Sequence, residues 1–204
     1  MKDNLTDMKE KIIASAWEMI EESGLEKFSM RRLSDKVNKT VSTLYHYYPS
    51  KIALLSELVE VAVAEIAYPV DSVSWQEKLE KYGLNILKVL KKYPSLATLL
   101  FDIPPVRPNY VSLNDNLLMI ANDIPIEKRE RLYFINMFIN FILTFKIDSD
   151  RLANSDLEGF QEFTNSTPYL KSYKEDGLFE KLGTDEVFVF GLKTLINGIN
   201  QKNF

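Results

Sequence analysis

From Leu132 to Phe145 the chain reads LYFINMFINFILTF, with only Asn136, Asn140 and Thr144 polar. Those three stand four apart, so on a helix they form one narrow stripe on an otherwise apolar cylinder. The run is shorter than the roughly 18 residues a membrane span requires. A helix apolar on nearly every side needs packing partners in several directions. Phe134, Phe138, Phe141 and Phe145 follow a 4-3-4 spacing, a coiled-coil-like seam. The expectation is an all-α protein in which this helix lies deep in a bundle.

The rest of the chain agrees. There is no sustained alternation of period two and no Asn-Gly hairpin turn. Helical periodicity and its punctuation predict helices at about 6–22, 30–37, 41–47, 51–67, 75–92, 94–101, 110–121, 126–147 and 184–201. Residues 149–183 are polar and read as loop with one short helix. In the last helix Gly191 and Gly198 are seven apart, on one face, where a second helix can approach closely; Val187, Phe190, Leu195 and Ile199 lie nearby. Two readings follow. These two helices pair only within one chain, or two copies form a four-helix bundle across a two-fold axis. The second makes Phe134, Phe138, Phe141, Phe145, Gly191, Leu195 and Gly198 the dimer interface.

A different signal lies near the N-terminus, in NKTVSTLYHYYPSK at residues 38–51. It is too polar for a core helix and too rich in rings for a plain loop. Ser29 is a candidate N-cap for one short helix and Thr40 for the next, with only Asn38 to Thr40 between them. Two helices of about two turns joined so tightly predict a helix-turn-helix. The second would turn Leu44 inward and expose Val41, Ser42, Thr43, Tyr45 and His46, side chains suited to base edges and thymine methyls in a major groove. Net charge is −4, yet residues 27–51 hold six Lys or Arg against Asp35 alone. A basic window in an acidic chain is either an electrostatic footprint for nucleic acid or a solvated helix face. The predicted organisation is a DNA-binding domain at 1–52 and an effector-binding and dimerisation domain at 53–204.

Other chemistry is scarce. Cysteine is absent and His46 is the one histidine, so no thiolate or Ser-His-Asp nucleophile, His-rich metal site or Gly-rich phosphate loop can be assembled. The expectation is a non-enzyme without cofactor or bound metal. The charged start, MKDNLTDMKE, does not read as a signal peptide, and the missing cysteines suit a reducing cytoplasm.

Leu33 and Val37, then Thr43-Leu44-Tyr45 followed by Tyr47, Tyr48 and Lys51, resemble the helix-turn-helix signature of the tetracycline-repressor (TetR) family. Ser74-Trp75-Gln76, Arg107-Pro108, Leu113 to Leu117, and Phe188-x-Phe190-Gly191-Leu192-x-x-x-Ile196-x-x-Gly198 resemble the C-terminal domain of the tetracycline repressors. The resemblance implies an all-α homodimer that blocks transcription by occupying a palindromic operator and is released by a small effector. It places Arg31, Thr40, Val41, Ser42, Thr43, Tyr45, His46 and Tyr47 at the double-stranded DNA and gives Lys51 a phosphate at a helix N-terminus. Asn38 replaces the usual Gly, and Lys39 replaces a usual buried aliphatic. The effector pocket would involve Ala67, Tyr82, Ile86, Leu100, Ile103, Asn116 and Asn140. Ala67, Leu100 and Asn140 match positions where a magnesium–tetracycline chelate would need imidazoles, which implies a more apolar effector. The helix starting at Lys51 would couple the two domains. The competing reading is a helical ligand-binding module whose DNA head is weak or lost, favoured by Lys39 in the turn.

Overall fold

The computed structural model describes residues 2–153 and 167–200, with side chains described from Thr6 to Ala153 and from Thr167 to Ile199. Among the described residues the regular structure is entirely helical. The helices are α1 (Lys2–Ser23), α2 (Met30–Lys36), α3 (Val41–Tyr47), α4 (Lys51–Val63), α5 (Trp75–Lys92), α6 (Leu96–Asp102), α7 (Pro108–Ala121), α8 (Lys128–Ala153), α9 (Pro168–Glu175) and α10 (Asp185–Asn200). No helix among them is long and apolar enough to cross a membrane.

Caps within reach of the local sequence start most of the early helices. Ser29, Thr40, Ser50 and Ser74 each accept a hydrogen bond from the backbone N–H three residues on. Each such cap contributes on the order of 1 kcal/mol. Asn38 takes φ of 55°, the left-handed turn conformation that asparagine tolerates better than most residues. Gly24 at φ 79° closes α1, its N–H bonding Ile20 O at 2.8 Å. A 3-10 turn, Leu25–Lys27, follows, which periodicity did not reveal.

Two helix C-termini differ from expectation by several residues. The helix expected to run to residue 67 stops at Val63. Glu65 and Ile66 donate three residues back, to Ala62 and Val63, a tightening of the last turn. Pro69 then disfavours helical backbone at Tyr68. Conversely α8 continues to Ala153, past the expected end at 147. Its last turns are held by Lys146 with Asp150, four apart, and by Arg151 with Asp148, three apart at 2.6 Å.

Packing groups the chain into two compact units, Met1–Pro125 and Ile126–Phe204. In the first, α4 packs against α1 and also against α6 and α7. Its Leu54, Leu58 and Ala62 are wholly buried. In the second unit α8 and α10 pair. Phe188, Leu192 and Ile196, spaced i, i+4, i+8, are the buried stripe of α10.

Candidate DNA-binding and effector sites

The head of the molecule is built from α1, α2, α3 and the start of α4. Leu33, Val37 and Leu44 are buried and hold α2 and α3 together. The turn closes with Lys39 N–H on Ser34 O at 2.9 Å, and the Lys39 side chain stands in solvent. The lysine therefore leaves the turn intact, and Val37 two residues earlier is the buried aliphatic beside it.

On α3 the residues expected at DNA are arranged around the buried Leu44. Thr40, Ser42, Tyr45 and His46 are exposed, and Val41, Thr43 and Tyr47 are half-buried. The Thr40 and Thr43 hydroxyls share a 2.8 Å hydrogen bond, so each orients the other. His46 and Tyr47 meet edge to face with ring centres 5.8 Å apart.

The basic window splits into two kinds of cation. Arg32 donates to Lys27 O at 2.7 Å and to Ser23 Oγ at 3.3 Å, tying α2 to the preceding turn. Lys36 bridges to α1 through Glu22 at 2.8 Å and Glu18 at 3.4 Å. The hydrogen bond to Glu22 raises the Lys36 ammonium above its ordinary value. Lys51 donates to Phe28 O at 2.9 Å and stands over the Phe28 ring. Lys51 thus has an internal partner that sequence reasoning missed, since a contact 23 residues away leaves no local trace. By contrast the Arg31 and Lys39 side chains are exposed and make no hydrogen bond or ion pair among the described residues.

Six of the residues expected at the effector belong to the first unit. Tyr82, Ile86, Leu100 and Ile103 are buried, Asn116 is half-buried and Ala67 is exposed. The structure joins two of them: Asn116 Nδ2 lies 3.3 Å from Tyr82 Oη. Burial raises the Tyr82 phenol, and the Asn116 hydrogen bond partly offsets that. Tyr68, not anticipated, meets Tyr82 edge-on at 5.6 Å. The carbonyl of Ala67 accepts from Asn85 Nδ2 at 2.7 Å. The seventh, Asn140, belongs to the second unit, exposed on α8 and donating to Asn136 Oδ1 at 3.1 Å. Among the described residues no group of three or more His, Cys, Asp or Glu is arranged to hold a metal.

The residues expected at a dimer interface separate in the second unit. Phe134 and Phe138 are buried within the protomer. Phe141 and Phe145 are half-buried against the same chain's Phe188, at 5.6 Å stacked and 5.0 Å tilted. A Cβ on Gly191 would stand 2.5 Å from Phe141 Cζ, so this glycine serves an intrachain crossing. Leu195 and Gly198 instead border an apolar groove of about 370 Å3 together with Tyr133, Phe134, Met137 and Ile199. The outward side chains are Leu132, Tyr133, Met137 and Phe190, each more than half exposed.

Comparison with known proteins settles the family. Residues 12–58 match the bacterial regulatory proteins of the tetR family, and residues 68–203 match the tetracyclin repressor-like C-terminal domain. The chain belongs to the TetR family. It is therefore a helix-turn-helix transcriptional regulator, as its curated relatives are. The class D tetracycline repressor of Escherichia coli is 26% identical over 202 residues, covering 93% of this chain and 88% of that one. A regulator from Saccharopolyspora erythraea is 26% identical over 108 residues, and there the match spans only 46% of the relative's length. Among solved structures, a TetR variant from Acinetobacter baumannii AYE in complex with minocycline superimposes with TM-score 0.74 at 21% identity, over 95% of this chain and 93% of that one. BioQ with its double-stranded DNA operator superimposes with TM-score 0.70 at 16% identity, over 95% and 98%.

Proposed function

We propose that this TetR-family regulator represses transcription in the cytoplasm as a homodimer on a palindromic operator, without catalytic activity, and lets go when a small apolar effector binds. The observation that carries the reading is the face of α3. A seven-residue helix anchored by one buried leucine exposes hydroxyls and rings in place of the usual charged surface. In this reading residues 1–52 are the reading head and 53–204 the effector-binding and dimerisation part.

Arg31, Thr40, Val41, Ser42, Thr43, Tyr45, His46 and Tyr47 face the groove or its edges. Lys51 serves a phosphate at the α4 N-terminus, where helix dipole and charge act together. The effector lies against Tyr82, Asn116, Ile86, Leu100, Ile103 and Ala67. Leu100 and Ala67 in place of imidazoles support an apolar effector over a metal chelate. The dimer forms on the exposed side of α8 and α10, where Tyr133, Met137, Leu195 and Gly198 present apolar surface.

The decisive test is Tyr45→Ala. A duplex is selected from a random-sequence library with the wild-type protein, and binding is followed by fluorescence anisotropy. The loss expected for a residue reading a base edge is about 1–3 kcal/mol, with the thermal unfolding transition unchanged. Wild-type affinity in the variant removes α3 from the groove.

A further inference from the structure

The turns of α4 beyond the head carry Glu57 and Glu60, three apart and so on one face. Both are engaged at the start of α7. Arg107 NH1 meets Glu57 Oε2 at 2.8 Å. The Glu60 carboxylate accepts from the backbone N–H groups of Asn109 at 2.7 Å and Tyr110 at 3.2 Å.

These contacts fill a gap that the local sequence leaves open. The residue preceding α7, Arg107, makes no side-chain cap, and Pro108 at the first position has no N–H. The next two N–H groups would be orphans at the positive end of a helix dipole. Glu60 satisfies both from another helix, so α7 is capped in trans by α4. Charge-assisted bonds of this kind are directional, which makes them suited to fixing an angle between two helices. At its other end α4 is tied to the head by Lys51, which donates to Phe28 O at 2.9 Å. One rigid helix is thus pinned to the head at its first residue and to α7 two to three turns later.

We propose that Glu57 and Glu60 are positioning residues for operator binding, clasping α4 to the start of α7 and thereby setting where α3 stands. This rests on the operator-binding reading and deepens it. The Glu57–Arg107 pair is partly exposed, 28% and 38%, and such pairs add little to folding stability. Their effect is expected on placement of the head and not on melting.

The test is a charge swap, because a swap restores geometry that a merely structural lesion would not. Glu57→Arg and Arg107→Glu singly are expected to weaken binding to the library-selected duplex by about tenfold, with thermal unfolding unchanged. The double variant is expected to recover most of that loss. Glu60→Gln, which keeps an acceptor and loses the charge, should weaken binding less and in the same direction. A second measurement does not need an operator. The chain has no cysteine, so His46→Cys and Asp115→Cys allow spin labels on α3 and α7 without background. The distance distribution between them is expected to broaden or shift in Glu57→Arg and to return in the swap. An unchanged distribution in the single variants overturns the clasp, whether or not a duplex is selected. Affinity falling only in step with melting temperature, or a double variant as weak as the singles, overturns it too. Failure of the wild-type protein to select any duplex counts against the operator reading, and the spin-label distances still decide the clasp.

Discussion

The reading head and the α8–α10 pair are both helical, yet they are held together by different physics. In the head α2, α3 and α4 are each started by a Ser or Thr cap, and the helices are joined by ion pairs from Lys36, hydrogen bonds from Arg32 and a carbonyl taken by Lys51. These joints are added to an apolar core that includes Ile12, Ile20, Phe28, Leu33 and Leu44. The second unit relies on aromatic contact: Phe141 and Phe145 lie on Phe188, and Gly191 lets Phe141 in. The lesson is a division of labour. Polar joints leave one face of α3 free to meet another molecule, whereas close apolar packing makes a scaffold.

Substitutions that should break the scaffold come first. Phe138 is wholly buried, and Phe138→Ala is expected to cost about 3–5 kcal/mol in denaturant unfolding, the price of a large aromatic cavity. A loss below about 1 kcal/mol would mean that α8 is not packed this way. Gly191→Ala adds a Cβ that meets the Phe141 ring at 2.5 Å. The ring must shift out of its stack on Phe188, with an expected cost of about 1–3 kcal/mol. At Gly198, where nothing lies within 4 Å, the same change should stabilise the isolated protomer by up to about 1 kcal/mol. Equal effects at the two glycines would erase the distinction between them.

The head should respond more mildly. Ser50→Ala removes the cap of α4, with an expected loss of about 0.5–2 kcal/mol by the same measurement. Tyr48 sharpens the comparison through its buried hydroxyl, which has no hydrogen-bond partner among the described residues. Burial, and then the nearby Glu57 charge, push this phenol up to about 12. A phenol held above its unfolded value near 10 contributes stability that is complete below that value and is lost as pH rises toward 12. Tyr48→Phe is therefore expected to be close to neutral at pH 7, since no hydrogen bond is broken, and to blunt alkaline unfolding between about pH 10 and 12. An unaltered alkaline transition would place the titrating group elsewhere.

The elements with signals inside a few residues were legible. α3 and α5 run where caps and prolines put them, because Thr40, Pro49, Ser74 and the i, i+4 stripe from Trp75 act locally. The fold class followed from the apolar run at 132–145, which leaves only helix packed on helix as a solution. The end of α4 was misread because its apolar pattern continues to Ala67, while Pro69 and the tightened turn at Glu65 and Ile66 stop the helix earlier. On α8, four-residue spacing identified Phe134 and Phe138 as an apolar seam. It could not say that the protomer itself buries them and that Tyr133 and Met137 face out.

The sequence by itself determined an all-α chain, the position of the helix-turn-helix and the polar face of α3, since each depends on propensities and periods that neighbours in the chain enforce. Tertiary structure alone decided which charges are spoken for. Lys51 on Phe28 O, Lys36 on Glu22, and Glu60 on the N–H groups of Asn109 and Tyr110 join residues 14 to 50 positions apart. Such pairings follow from how whole helices pack, through buried residues such as Ile20, Leu33, Leu54 and Leu58, which no short stretch of sequence specifies.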